Sequence, residues 1–366
     1  MLYTQQYDDI INKLTTLNKK PQRRRNVRFN SSNLKSLTPK ESKEVSMKIK
    51  VIQKVTMFLR FLGFHLLFMT ILAPFVLFWG PFQSLKAVTV GSIYTSRHPQ
   101  VVQAFLSQAE IDWVMNVNAS QGTIIEQPIA HTNVIDTSSE ITIEDIQGPG
   151  YKGKVILIKD PKRVKLAVTK KIGVSGEQVS QMVKDLGAVA GINAGGFYDP
   201  DGKGNGSFPD GLTVQDGKVV HNNIGNRAVN IAGFNDQGKL IIGSMTANHL
   251  EASHILEAVT FGPNLIKDGK PEILGDGGWG IAPRTGIGQK ADGTVIFVVI
   301  DGRQPTWSIG ATLSDLMNVF TNYHAVNAVN LDGGSSSVLV NNGIVMNHLS
   351  SLFGERYIPT AFVVTP

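Results

Sequence analysis

The chain has 366 residues, with 35 Lys and Arg against 29 Asp and Glu, and no cysteine. The missing cysteines exclude a disulfide scaffold, a thiol nucleophile and every thiolate metal site. A hydrophobic share of 42% excludes wholesale disorder. The first 60 residues carry 14 basic and 4 acidic side chains, and the rest carry 21 and 25. The basic surplus therefore lies on an N-terminal arm, and no nucleic-acid partner is expected of the folded part.

Four segments follow in chain order. Residues 1–54 are polar and basic, with Lys19, Lys20, Arg23, Arg24, Arg25 and Arg28 close together. They read as a disordered cytoplasmic arm. Residues 55–82 read as a transmembrane anchor. Its last 22 residues, 61–82, contain no Asp, Glu, Lys or Arg. As a helix they would span roughly 33 Å, enough for a hydrocarbon core of about 30 Å, with a kink at Pro74. Lys48, Lys50, Lys54 and Arg60 precede this segment, and only Lys86 and Arg97 closely follow it. The positive-inside rule then puts the N-terminus in the cytoplasm and the rest outside a cell membrane crossed once. A cleaved signal peptide is the rival reading, but its apolar stretch should be shorter and nearer the N-terminus.

Residues 83–150 read as an extracytoplasmic stalk that partly packs on the domain. Ser107-Gln-Ala-Glu110 resembles a capping box before a short helix containing Ile111, Trp113 and Val114.

Residues 151–366 read as the folded domain, with 31 glycines in 216 residues. Asp216-Gly217, Asp268-Gly269, Asp292-Gly293 and Asn342-Gly343 separate short apolar runs, each a hairpin signal. Val155–Lys159 and Val164–Thr169, joined through Asp160-Pro161, look like another antiparallel pair. Helices are expected at 176–186, capped by Ser175–Gln178, and at 313–323, capped by Thr312–Asp315. The fold class is thus mixed α+β, with largely antiparallel sheets, hairpins and a few packed helices behind one transmembrane helix.

Each of the two helices leads into an apolar strand ending in a polar residue and glycines: Asn193-Ala-Gly195-Gly196 and Asp332-Gly333-Gly334-Ser335-Ser336. The matching units suggest two strands that deliver their loops to one place. Asp332 could act as acid, base or nucleophile there, while the glycines admit substrate and the following N–H groups form an anion nest. The alternative is an Asp that caps its own turn. Asp301 and Arg303 follow a continuous apolar strand, Thr294–Ile300, and Arg284 precedes the hairpin that leads into it. Two arginines beside carboxylates suit an anionic substrate, although each alone would equally suit a structural ion pair. Asp199, Asp201, Asn205 and Asp210 crowd one loop. They could bind Ca²⁺, but their spacing fails the EF-hand pattern, and a polar active-site loop with Asp210 as second carboxylate suits them better. No other cofactor is expected. Zinc-hydrolase, Walker and nucleophile-elbow motifs are absent from the sequence.

Six blocks in order resemble the phosphodiester glycosidase family: GINAGGFY (191–198), FPDGLTVQDGKVV (208–220), FGPNLIKDGK (261–270), PRTGIG (283–288), IDGRQ (300–304) and VNLDGGSSSVL (329–339). Two blocks depart from the family pattern. Asn193-Ala-Gly stands where Asn-Gly-Gly is frequent, and Asp332-Gly-Gly-Ser where an extra Gly is common. The basic arm, the anchor and the lack of disulfides resemble bacterial members, which are linked to exopolysaccharide and cell-wall polymers.

The resemblance implies hydrolysis of the glycosidic bond of a sugar-1-phosphodiester, with a sugar-1-phosphate-containing glycan as partner. On that reading Arg284 and Arg303 hold the phosphate. Asp332 is base or nucleophile, Asp301 or Asp210 is the second carboxylate, and Asn193 binds a sugar hydroxyl or acetamido group. A non-catalytic assembly factor for an anionic surface polysaccharide, and cleavage at the P–O bond, are the alternatives.

Overall fold

The computed structural model describes residues 39–94, 98–120, 130–138, 141–199 and 204–366. The arm over residues 1–38 lies outside the described residues. The chain divides into two compact units, Met1–Ile71 and Leu72–Pro366.

Helix α1 spans Pro39–Pro74 and gives way to a π-helical turn, Phe75–Trp79. A proline inside a helix removes one hydrogen bond and crowds the preceding turn, and the widened turn begins directly after Pro74. The stretch Lys50–Trp79 contains an 18-residue window of mean hydropathy 2.2 and is long and apolar enough to cross a membrane.

Helices α2 (Gln83–Tyr94), α3 (Pro99–Gln103) and α4 (Gln108–Ser120) gather around Val90, Val102, Leu106 and Ile111. The capping box forms at α4. Ser107 N–H donates to Glu110 Oε2 at 2.8 Å, and Glu110 N–H donates to Ser107 Oγ at 3.4 Å.

Then come β1 (Ala130–Ser138), β2 (Ile141–Gly148), β3 (Tyr151–Ile158), β4 (Val164–Val168), helix α5 (Val179–Asp185) and β5 (Ala190–Asn193). The next five strands are β6 (Leu212–Gln215), β7 (Lys218–Asn222), β8 (Val229–Asn235), β9 (Leu240–Met245) and, after α6 (Ala247–Ala252), β10 (Ile255–Thr260). Strands β11 (Asn264–Lys267), β12 (Lys270–Pro271), β13 (Arg284–Lys290) and β14 (Val295–Ile300) precede helix α7 (Leu313–Asn322). Strands β15 (Ala325–Leu331), β16 (Leu339–Asn341), β17 (Ile344–Val345) and β18 (Thr360–Val364) complete the chain.

They form three sheets, of order β1-β2-β3-β14-β13-β15-β11-β12, β7-β6-β10-β8-β9 and β17-β16-β5-β18-β4. Neighbouring strands in all three run antiparallel, as expected. One core lies between the large sheet and the other two, joining Ile156, Phe297 and Leu331 to Ile192, Phe234 and Phe362. Helix α7 covers the outer face of the large sheet and α5 that of the third. Strand β14 shows why its sequence is an unbroken apolar run. Val295, Phe297 and Val299 enter the inner core, while Ile296, Val298 and Ile300 face α7.

Three expectations need correction. β3 and β4 are not a hairpin but belong to different sheets. Asp160 accepts from Lys162 N–H, and Pro161 opens a 3₁₀ turn that passes the chain from one sheet to the other. Ser175–Gln178 does not cap α5, because Glu177 bridges to Ile358 instead. The cap comes from afar, with Ser180 N–H donating to Glu355 Oε2 at 3.0 Å. Finally, the boundary drawn at residue 150 cuts a hairpin: β2 pairs with β3 along its whole length and buries Ile141, Ile143 and Ile146.

Three of the Asx-Gly pairs have positive φ at both positions, as a type I′ turn requires. At Asp292-Gly293 only the glycine does, and Gly293 N–H returns to Lys290 O in a wider loop.

Candidate active site

Strands β5 and β15 lie in different sheets, yet their ends meet. Asn193, at the end of β5, is buried, and its Nδ2 donates to Asp332 O at 2.5 Å. Asp332 N–H donates back to Ala194 O at 3.0 Å. Asn193 Oδ1 accepts from Thr285 Oγ1 at 2.8 Å and from Val338 N–H at 3.1 Å. This side chain, expected to bind sugar, is thus engaged throughout as the joint between two loops.

The glycines also serve close packing. A Cβ on Gly195 would meet Val259 at 2.9 Å, one on Gly196 the Phe261 ring at 3.0 Å, and one on Gly333 the Pro283 carbonyl at 2.8 Å. Gly334 has φ +60, and a Cβ there would lie 3.3 Å from Arg303 Nη2, so the guanidinium of Arg303 reaches the Asp332 loop. Gly334–Ser336 form a 3₁₀ turn that uses three N–H groups internally or on Pro283: those of Gly334, Ser336 and Ser337. The expected anion nest is therefore largely closed. Ser335 stays partly exposed, whereas Ser336 is buried beside Asp332.

Asp332 is partly buried at the mouth of this loop. Burial pushes its carboxyl up to about 6, against the opposing pull of the Ser336 hydroxyl, the Arg356 charge and the Gly333 N–H. A carboxylate tuned to this range can exchange a proton near neutrality.

Arg356 is the site residue that sequence reasoning missed. It forms an ion pair with Asp199 at 2.5 Å, and its guanidinium lies 4.6 Å from the Phe197 ring centroid. It sits in Leu352-Phe-Gly-Glu-Arg356, a stretch with no motif and 163 positions from Asn193, so no local pattern announces it.

The other expected residues are placed as follows. Arg284 is buried, with its guanidinium donating to Ala311 O at 3.0 Å, Trp279 O at 3.1 Å and Gly280 O at 2.7 Å. Burial, with the nearby Arg303 charge, lowers it to about 10. It buttresses the floor under the loop through these three carbonyls. Asp301 is buried and accepts from Trp307 Nε1 at 2.8 Å, His348 N–H at 3.0 Å and Asn347 Nδ2 at 3.2 Å. Burial raises its pKa and these donors oppose the rise. It belongs to the wall of a neighbouring cavity. Asp210 is exposed beside Gly196, and its Oδ1 accepts from Asn223 Nδ2 at 3.4 Å. The carboxylate that acts electrostatically on Asp332 is Asp199.

Among the described residues, no three His, Asp or Glu side chains gather to hold a metal ion. Asp201 lies outside the described residues. Asp199 accepts from Arg356 and from Gly204 N–H, while Asn205 donates to Val174 O and accepts from Ser207 N–H.

Residues 186–365 match the family model described as phosphodiester glycosidase. The match spans 180 of the 366 residues, and the likeness to this family belongs to that stretch, from the end of α5 through β18. The chain is 30% identical over 199 residues to the SPbeta prophage-derived uncharacterized protein YomE of Bacillus subtilis, a match covering 52% of this chain and 30% of that protein. The catalytic domain of zebrafish N-acetylglucosamine-1-phosphodiester α-N-acetylglucosaminidase, auto-inhibited by its pro-peptide, shares the fold. It superposes with a TM-score of 0.51 at 21% identity, over 68% of this chain and 86% of that one. A hypothetical protein from Synechocystis superposes with a TM-score of 0.50 at 18% identity, over 65% and 64% of the two chains.

Proposed function

We propose that the protein hydrolyses the glycosidic bond of sugar-1-phosphodiesters carried by a cell-wall polymer or exopolysaccharide. In this reading Lys50–Trp79 anchors the chain and the domain works outside the membrane. The observation that carries the reading is Asp332: a half-buried carboxyl poised at about 6, on a loop approached by the guanidinium of Arg303 and within the field of Arg356.

The chemistry suits such a site. When the sugar C1–O bond breaks, the departing phosphomonoester is a weak base, so acid assistance matters less than for an alcohol. The site must hold phosphate charge, stabilise an oxocarbenium-like sugar and activate water or attack directly. Arg303 and Arg356 are assigned the phosphate, and Asp332 the base or nucleophile. Arg284 and Asn193 hold the architecture.

The test is hydrolysis of a panel of sugar-1-phosphodiesters, beginning with N-acetylglucosamine-1-phosphate esters, in ¹⁸O water. Label on the sugar with release of an unlabelled phosphomonoester supports this reading. Label on the phosphate would assign P–O cleavage instead, and no turnover of any phosphodiester would leave a binding domain.

A further inference from the structure

Near the Asp332 loop lies a cavity of about 290 Å³, lined in part by Lys152, Asp301, Trp307 and His348, near the lower end of the size range of small-molecule sites. Its wall is rigidly built. Trp307 Nε1 is fixed by the buried Asp301 carboxylate at 2.8 Å. His348 stacks on the indole at 4.1 Å and 21°. Lys152 Nζ lies 3.9 Å from the indole centroid.

The charges facing this cavity are unequally spent. Lys154 is neutralised by Asp145 at 2.5 Å. Asp301 has three donors of its own. Lys152 makes no ion pair among the described residues; the indole is what holds its ammonium. A half-buried cation pre-positioned on an aromatic ring, beside a histidine and a Trp edge, is a recognition site for a sugar that bears an anion.

Two chain segments link this cavity to the Asp332 loop. Asp301 lies in the cavity wall and Arg303, two residues on, brings its guanidinium to where a Cβ on Gly334 would stand. His348 lies in the cavity wall and Ser350, two residues on, donates to Gly334 O at 3.3 Å. Two residues reach at most about 7 Å, a step on the scale of a sugar residue.

We propose that this cavity is a glycan subsite, in which Lys152 takes the carboxylate or phosphate of a sugar unit next to the one cleaved, with His348 and the edge of Trp307 beside its ring, the indole faces being covered by His348 and Lys152. The proposal rests on the glycosidase reading for its position along the substrate, but not for its existence.

Its test uses the full chain in detergent micelles. The Trp307 indole N–H resonance, assigned with Trp307→Phe, is followed while a uronic-acid disaccharide and, separately, inorganic phosphate are added. A saturable shift with either probe, weakened about tenfold or more in Lys152→Met, supports the subsite and identifies the anion. No shift with either, or a shift undiminished in the variant, overturns it. In kinetics, Lys152→Met should lower kcat/KM about tenfold on an anionic oligosaccharide phosphodiester and leave a single-sugar phosphodiester within about twofold. Equal loss on both would make Lys152 structural. If the wild-type chain hydrolyses neither, the reaction assigned above fails while the resonance titration still decides the subsite.

Discussion

At the scale of single residues, Asp332 and Glu257 are two carboxyls displaced in the same direction for different ends. Asp332→Asn keeps shape and one acceptor but loses charge and basicity. It should cut kcat by about 10²-fold or more while substrate affinity survives. The wild-type rate should fall as pH drops through about 6, since the base must be deprotonated. A pH–rate profile with no acid limb in that region would remove Asp332 from this role. Glu257, on β10, is almost wholly buried, accepts from Leu166 N–H and stands 3.7 Å from Lys165 Nζ. Burial pushes it up to about 7. Its folded-state pKa exceeds its unfolded value, so the folded chain binds the extra proton, and stability declines as pH rises from about 4.5 through 7. Glu257→Gln should therefore raise Tm at pH 8 and change it little at pH 5. An equal shift at both pH values would show that the charge is not what costs. The sequence marked Asp332 because it ends an apolar strand before two glycines. It could not mark Glu257 or Arg356, whose surroundings come from chain segments far away.

At the scale of elements, the two helices that face the sheets are capped by different means. Thr312 and Asp315 form the reciprocal box read from the sequence, at 2.9 and 3.0 Å. Helix α5 depends on Glu355, 175 positions from Ser180. Glu355→Ala should cost about 1 kcal/mol, as loss of a cap does, and should also loosen the segment that carries Arg356. Thermal unfolding together with proteolysis around residues 350–357 checks both consequences. Local signals such as type I′ turns, the α7 box and the unbroken β14 run were legible because neighbours in sequence make them. The β3–β4 pairing was misjudged because two apolar runs around a turn look alike whether they share a sheet or change sheets.

At the scale of the whole molecule, the sheet begins before the domain that glycine content outlines. β2 closes one flank of the core with Ile141 and Ile143, and Glu144 accepts from Tyr323 Oη at 2.6 Å on the far side of the sheet. A chain beginning at residue 151 should lose that cover, melt well below one beginning at residue 83, and expose apolar surface. Each buried isoleucine contributes roughly 1.5–3 kcal/mol. Equal melting of the two would show β2 to be dispensable. Helix α2 reaches the same body: Gly91 packs against the Gly278 carbonyl, and Ser92 Oγ accepts from Ile281 N–H at 2.9 Å. The loop that offers carbonyls to Arg284 is thereby held from the segment that the sequence reads as a stalk packed in part on the domain.

The joint at Asn193 has a kinetic consequence. Its partners come from positions 285, 332 and 338, so the reactive loop has no fixed shape until two sheets of large sequence separation have docked. Such non-local closure is slow compared with forming helices and hairpins. After dilution from denaturant, far-UV ellipticity should return ahead of hydrolytic activity. A freshly made chain would pass through an interval in which it is structured but inert.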